Sequence, residues 1–167
     1  MRLKVSLLQE VKARQFKAPP KWALRFFPAL IIWFILPVSG SLGGEELSEY
    51  GNPFTWVTVG QVAVKAEVVK TPDKIFRGLG YRQNLPEGRG MLFVMPETAK
   101  QIFCMRGMEF PIDILWLTPG KVVGLEKNIS PKYQGDLASP VPVNYVLEVP
   151  GGFTVKYGIK VGDRVSW

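Results

Sequence analysis

The chain has 167 residues and a formal charge of +7, a length that suits one domain plus an appendage. It holds no histidine and one cysteine, which excludes Ser-His-Asp and Cys-His catalysis, the common zinc sites of Cys and His, and any disulfide within the chain. The charge is local: residues 1–25 carry seven basic side chains against one acid and the other 142 residues carry 14 against 13, so the body lacks the basic surface of a nucleic-acid binder.

Arg25 is followed by Phe26-Phe-Pro-Ala-Leu-Ile-Ile-Trp-Phe-Ile-Leu-Pro-Val38, thirteen residues without a charge, and then by Ser39-Gly-Ser-Leu-Gly-Gly44. A basic flank, a short apolar core and small residues predict a secretory signal, with cleavage near Gly40 or Ser41. The core falls short of the about 20 residues of a comfortable span. The alternative is an uncleaved anchor through residues 26–38, with its basic side in the cytoplasm. A buried core helix does not fit Pro28, Pro37 and the one-sided charge. Residues 1–44 are thus read as a signal peptide or N-terminal membrane anchor. Residues 45–54 are read as a linker and residues 55–167 as a β domain. The domain is expected in the periplasm, outside the cell, or tethered on the outer side of the membrane.

Within the body, Thr55–Val59 is a short β-rich run. In Val62–Val69, Val62, Val64, Ala66 and Val68 share one face and Lys65 and Glu67 the other, which predicts a half-buried strand. Thr71-Pro-Asp73 opens a helix, with Thr as cap, Pro at the first position and Asp in the first turn. Gly78 and Gly80 end it after about two turns. Met91–Val94 and Ile102–Met105 are short strands. Ile112–Leu117 is a continuous apolar run broken only by Asp113, as in a strand covered on both faces. Thr118-Pro-Gly-Lys121 predicts a type II turn, and Lys121–Asn128 pairs back as a hairpin. Residues 129–142, with three prolines and Gly135, read as a loop. Asn144–Val149 is a strand with Val146 and Glu148 on one side. A helical turn over Phe153–Tyr157 and a last strand after Gly162-Asp163 complete the chain. This pattern predicts a mainly β domain, a sandwich or jelly roll or a partly open barrel, with one or two short helices.

Asp113 is the most informative single residue, because a charge inside an apolar strand is costly unless it is paired or hydrogen-bonded. Arg77, Arg82 and Arg106 are the expected partners. Read structurally, they neutralise Asp113 and tie the short helix to the sheet. Read functionally, they form an anion or carboxylate pocket. Met91, Met95, Met105 and Met108 suit core packing better than copper, given the missing histidines. Cys104, flanked by Phe103 and Met105, is expected to be buried. Glu148 and Asp163 form a weak acid pair, since Asp163 sits in a turn. The scattered aromatics, Tyr133 and Trp116 among them, suit core and rim positions. The loop carrying Tyr133 and Ser139 is the expected edge of any cleft.

Phe76-Arg-Gly-Leu79, Arg82, Leu85, Gly90-Met-Leu-Phe93, Phe103-x-Met105, Pro111-Ile-Asp-Ile114, Pro142, Val146-Leu-Glu148 and Gly158-Ile-x-x-Gly-Asp163 together resemble the domain-of-unknown-function family numbered 192. The resemblance runs from about Val62 to Val165. It implies a compact β fold, often behind an export signal, and brings no established activity. The chain departs from the family pattern at Cys104, where the family has Trp, and at Gly80, Gly107 and Met108. The expected function is a non-catalytic extracytoplasmic binding or accessory module for a small anion, a peptide or a protein partner. The alternative is an enzyme using Asp113 with Arg77, Arg82 or Arg106. The expected ligand contacts are Arg77, Arg82, Met105, Arg106, Asp113, Tyr133 and Ser139. No catalytic residue, metal, cofactor or nucleic acid is expected, and the membrane only through residues 26–38.

Overall fold

The computed structural model describes residues 45–167. The expected signal or anchor, with its cleavage point, lies outside the described residues. Among the described residues no helix is long and apolar enough to cross a membrane.

The chain runs β1 (Phe54–Val59), β2 (Val62–Val69), α1 (Pro72–Arg77), β3 (Arg89–Ala99), β4 (Ile102–Phe103), β5 (Ile112–Thr118), β6 (Lys121–Ile129), β7 (Leu137–Ala138), β8 (Val143–Pro150), α2 (Phe153–Lys156) and β9 (Val165–Ser166). Seven strands form one sheet in the order β6-β5-β8-β3-β2-β1-β9, and β4 pairs with β7 apart from it. Every pair in the large sheet is antiparallel except β2 with β3. The two ends of the sheet meet at one corner. Lys121 bridges to Arg164, and backbone bonds run from Val122 N to Asp163 O (3.0 Å) and from Val165 N to Gly120 O (3.1 Å). The fold is therefore mainly β, and its sheet curls into a half-barrel.

Strand alternation gives the sheet two apolar faces. All seven strands contribute to the core inside the curl, including Val57, Val64, Leu92, Leu115, Leu147 and Val165. The opposite face carries Val69, Met91, Phe93, Ile114, Trp116 and Val146. Residues Ile112–Leu117 of β5 are all buried because both faces are covered. Gly120 has φ +79°, the conformation required after Pro119 in the expected turn. β3 runs further than the sequence predicts, and its ladder with β8 slips between Val94 and Ala99. Pro96 lies in that interval and has no N–H to donate, which explains the irregularity.

Gly90 lets β2, β3 and β8 approach closely. A Cβ there would lie 2.8 Å from the Glu148 carbonyl oxygen and 2.9 Å from Val64 Cγ1. Gly90→Ala should lower stability by about 1–3 kcal/mol by overpacking, read as a lower urea midpoint with an unchanged slope.

Candidate functional site

A parallel pair of strands cannot be joined by a tight turn and needs a crossover. Residues 70–88 supply it between β2 and β3. They lay α1, Gly78–Gly80 and Arg82 against the outer sheet face. Glu67 pairs in register with Met91, Met91 with Glu148, and Glu148 with Ile114. Two carboxyl groups thus belong to one row across the sheet, beneath the crossover.

Beside α1 lies a cleft of about 520 Å³. Its walls are apolar, formed by Ile75, Phe76, Phe93, Met95, Phe103 and Met108. Lys70, Arg77, Cys104 and Arg106 also line it, as does Glu148. Arg106 lies over the Phe76 ring at 4.2 Å, and Arg77 lies 5.6 Å from the Tyr50 ring. None of the three cations is in a salt bridge among the described residues.

Glu148 is 5% exposed, lines the cleft, and accepts no hydrogen bond from a protein group among the described residues. Burial pushes its carboxyl up to about 8, against the opposing pull of the Arg82 charge. At neutral pH it is therefore mainly a neutral acid, able to donate one hydrogen bond.

Arg82 is committed elsewhere. Its two terminal nitrogens reach the Glu67 oxygens at 2.5 and 3.0 Å, and its guanidinium stacks 3.8 Å from the Tyr50 ring centre. Asn52 Nδ2 and Ser48 Oγ donate to the same carboxylate at 2.8 and 2.9 Å. Burial raises the Glu67 carboxyl, but these bonds outweigh it and hold it below the ordinary range. The stretch read as a linker thus docks on the body through Ser48, Tyr50 and Asn52.

The arginines do not neutralise Asp113. It is 0% exposed, yet no salt bridge reaches it among the described residues. Backbone N–H groups of Asn128 and Gly152 donate to Oδ1 at 2.6 and 2.8 Å, and Thr154 donates to Oδ2 through N–H at 2.7 Å and hydroxyl at 2.6 Å. Asp113 shares its strand face with Leu115 and Leu117, which belong to the inner core, while the arginine-bearing crossover covers the outer one. A strand presents alternate residues to opposite faces, so the two sets cannot meet.

The other expected contacts separate as well. Met105 is buried in the outer core. Ser139 is buried and forms a latch, accepting from Gln101 N at 3.0 Å and donating to Val141 O at 2.8 Å. Tyr133 is exposed and packs against Gly135. Neither Tyr133, Ser139 nor Asp113 lines the cleft; Arg77 and Arg106 do, and Arg82 lines a second cavity. Asp163 accepts from Lys160 N at 3.0 Å, within its own turn, so it makes no acid pair with Glu148. Met91 is core, and Met95 and Met108 are cleft wall.

Cys104 is exposed rather than buried. β4 is only two residues long, so the chain leaves the strand at Phe103 and Cys104 emerges at the cleft. A thiol reagent should label the native protein within minutes, at a rate near that of the unfolded chain, as mass spectrometry would measure. Glu148 was visible in the sequence as the polar member of the Val146 face. Its isolation was not, because every neighbour that could have paired it arrives from a distant segment.

The sequence model of a family described as DUF192, uncharacterized ACR, matches residues 55–167. No curated protein matches the chain. A solved structure of a protein of unknown function from Novosphingobium aromaticivorans DSM 12444 is similar, with 27% identity and a TM-score of 0.71 over 75% of this chain and 94% of that one. A Sinorhizobium meliloti 1021 protein described as a candidate transcription regulator shares 26% identity with a TM-score of 0.66, over 74% of this chain and 97% of that one.

Proposed function

We propose, from the premise that this chain belongs to the DUF192 family, that its β domain is a non-catalytic binding module for a small amphipathic molecule with an anionic head. The observation that carries the reading is Glu148, a carboxyl 5% exposed and without a protein partner in the wall of an apolar cleft. A carboxyl this deeply placed keeps little of its hydration and has no protein group in its place. A ligand oxygen accepting from the neutral acid fills that place. Lys70, Arg77 and Arg106 favour a negative head group, and Phe76 and Ile102, 74% and 64% exposed, extend the apolar surface. The cleft volume falls in the range of small-molecule sites.

The enzyme reading built on Asp113 loses its support, since that carboxylate is spent on four internal donors and lines no described cavity. Regulation of transcription, the description of one similar protein, does not fit a body with 14 basic and 13 acidic side chains. We place the module at or beyond the membrane on the strength of residues 26–38.

The test is calorimetric titration of the full chain with decanoate at pH 6.5. Saturable binding is expected, weakened about tenfold or more by Arg106→Gln, which removes a charge-assisted bond, and by Glu148→Leu. Decanoate should also slow the labelling of Cys104. Binding that neither substitution alters, or no binding at all, would overturn the reading.

A further inference from the structure

We propose that the cavity on the far side of Arg82 is a second binding site, one that takes a single carboxylate on Arg89. This cavity, of about 680 Å³, is lined by residues between Leu47 and Phe54 and between Tyr81 and Gly90, together with Glu67. It is distinct from the cleft of Glu148, with which it shares no lining residue.

The two arginines in it are in opposite situations. Arg82 has its nitrogens on Glu67 and its face on Tyr50, so it offers a ligand little. Arg89 lies 5.1 Å from the Phe54 ring and is in no salt bridge among the described residues. Its Nη1 is buried and has no hydrogen-bond partner. A guanidinium cannot shed its charge, and with Nη1 closed off and the side chain half-buried, the edge open to a carboxylate is that of Nε and Nη2, neither bonded among the described residues.

The charge of the lining sets the class of acceptor. Glu67 is neutralised by Arg82, and the other acid in the lining, Glu49, is solvent-exposed. One unspent cation remains to face the ligand, with Glu49 at the rim to oppose a second negative charge, which suits a monoanion. A planar carboxylate matches the guanidinium fork better than a tetrahedral dianion does. Tyr50, Phe54 and Leu85 provide apolar surface for the body that carries the carboxylate. Two sources share this chemistry, a free small acid and the C-terminus of a peptide.

Full-length protein would be titrated with propionate, with N-acetyl-alanyl-alanine and with the amide of that dipeptide. Both acids are expected to bind and the amide to fail. Arg89→Gln should weaken the acids about tenfold or more, as loss of a charge-assisted fork predicts. Arg89→Lys, which keeps the charge and the fold but loses the fork, should weaken them by about threefold or more; it decides the matter if the Gln variant does not fold. Glu148→Leu should leave both unchanged, which separates this site from the cleft. A dipeptide acid bound tenfold tighter than propionate would assign the site to peptide C-termini, and equal affinities would assign it to free acids. Acids that do not bind, an amide that binds equally well, or affinities indifferent to both Arg89 variants would overturn the proposal.

Discussion

Asp113→Ala should cost about 4 kcal/mol or more, measured by equilibrium denaturation, because it orphans buried donors that now serve a charged acceptor. The carboxylate closes two separate pieces of chain onto β5. It receives the backbone of Asn128 at the end of β6, of Gly152 before α2, and of Thr154 within α2, plus the Thr154 hydroxyl. Hydrogen bonds to a charged group contribute about 1.5–3 kcal/mol each, and a buried donor left alone costs about 1–3 kcal/mol. Water entering the space recovers part of this, so the effects do not sum. Asp113→Asn keeps the shape but turns one acceptor into a donor facing donors, and should cost about 2–3 kcal/mol. Domains of this kind have only about 5–15 kcal/mol in hand, so the Ala variant should sit near the threshold of folding. An Asn variant as stable as the parent would remove the structural role assigned to Asp113.

Glu148→Gln should abolish a loss of stability that the parent suffers as pH rises. The folded Glu148 carboxyl is raised from the ordinary 4.5 to about 8. Between those values the unfolded chain has released the proton and the folded protein still holds it. The unfolded state then binds fewer protons, so stability falls with rising pH through this window and levels off above it. The full interval corresponds to roughly 3–5 kcal/mol. The chain has no histidine, the residue that ordinarily dominates titration here, which leaves Glu148 prominent. Glu67 works in the opposite sense and elsewhere. Its carboxyl is lowered, so its contribution is present above 4.5 and fades as pH falls through its folded value. Urea denaturation at pH 5 and pH 9 should show the parent weaker at pH 9 and the Gln variant nearly flat. A parent equally stable at both would contradict the burial of an unpaired carboxyl.

Glu148 also links stability to the proposed ligand. An acceptor bound to the neutral acid holds the proton in place, so binding should weaken as pH rises past 8, by the same linkage. Phosphoryl or sulfonyl heads could serve as well as carboxylates in the Glu148 cleft, because Lys70, Arg77 and Arg106 present three cations. The Arg89 cavity has one, and so the two sites differ in the charge they accept.

The expected strands and the two helical segments are present, while the polar pairings follow a different plan. Val62–Val69 alternates, Ile112–Leu117 is apolar throughout, and Pro119-Gly120 turns the chain; each of these is a signal carried by neighbours in sequence. The helix begins at Pro72 as expected, although Thr71 makes no side-chain cap bond to its backbone. Arg82 offered no such signal. Glu67, 15 residues before it, and Asp113 are both acids in β strands. Only the crossover between β2 and β3 selects between them, by covering one face of the sheet. The donors to Asp113 were harder still to foresee, since backbone N–H groups belong to every residue and mark none. Cys104 is exposed because apolar neighbours in sequence do not bury a residue once its strand has ended at Phe103.

Taken alone, the order of the amino acids determined the β class, the places of the longer strands, the faces of their alternating residues and the family, but not β7, which lies within residues 129–142 read as a loop. All of these rest on period-two alternation, turn chemistry and local motifs, which act over a few residues. The tertiary structure alone decided that Asp113 would be held by amides, that Arg82 would go to Glu67, and that Glu148 and Arg89 would be left without partners. Those outcomes depend on strand register and on one crossover, which bring together groups far apart along the chain.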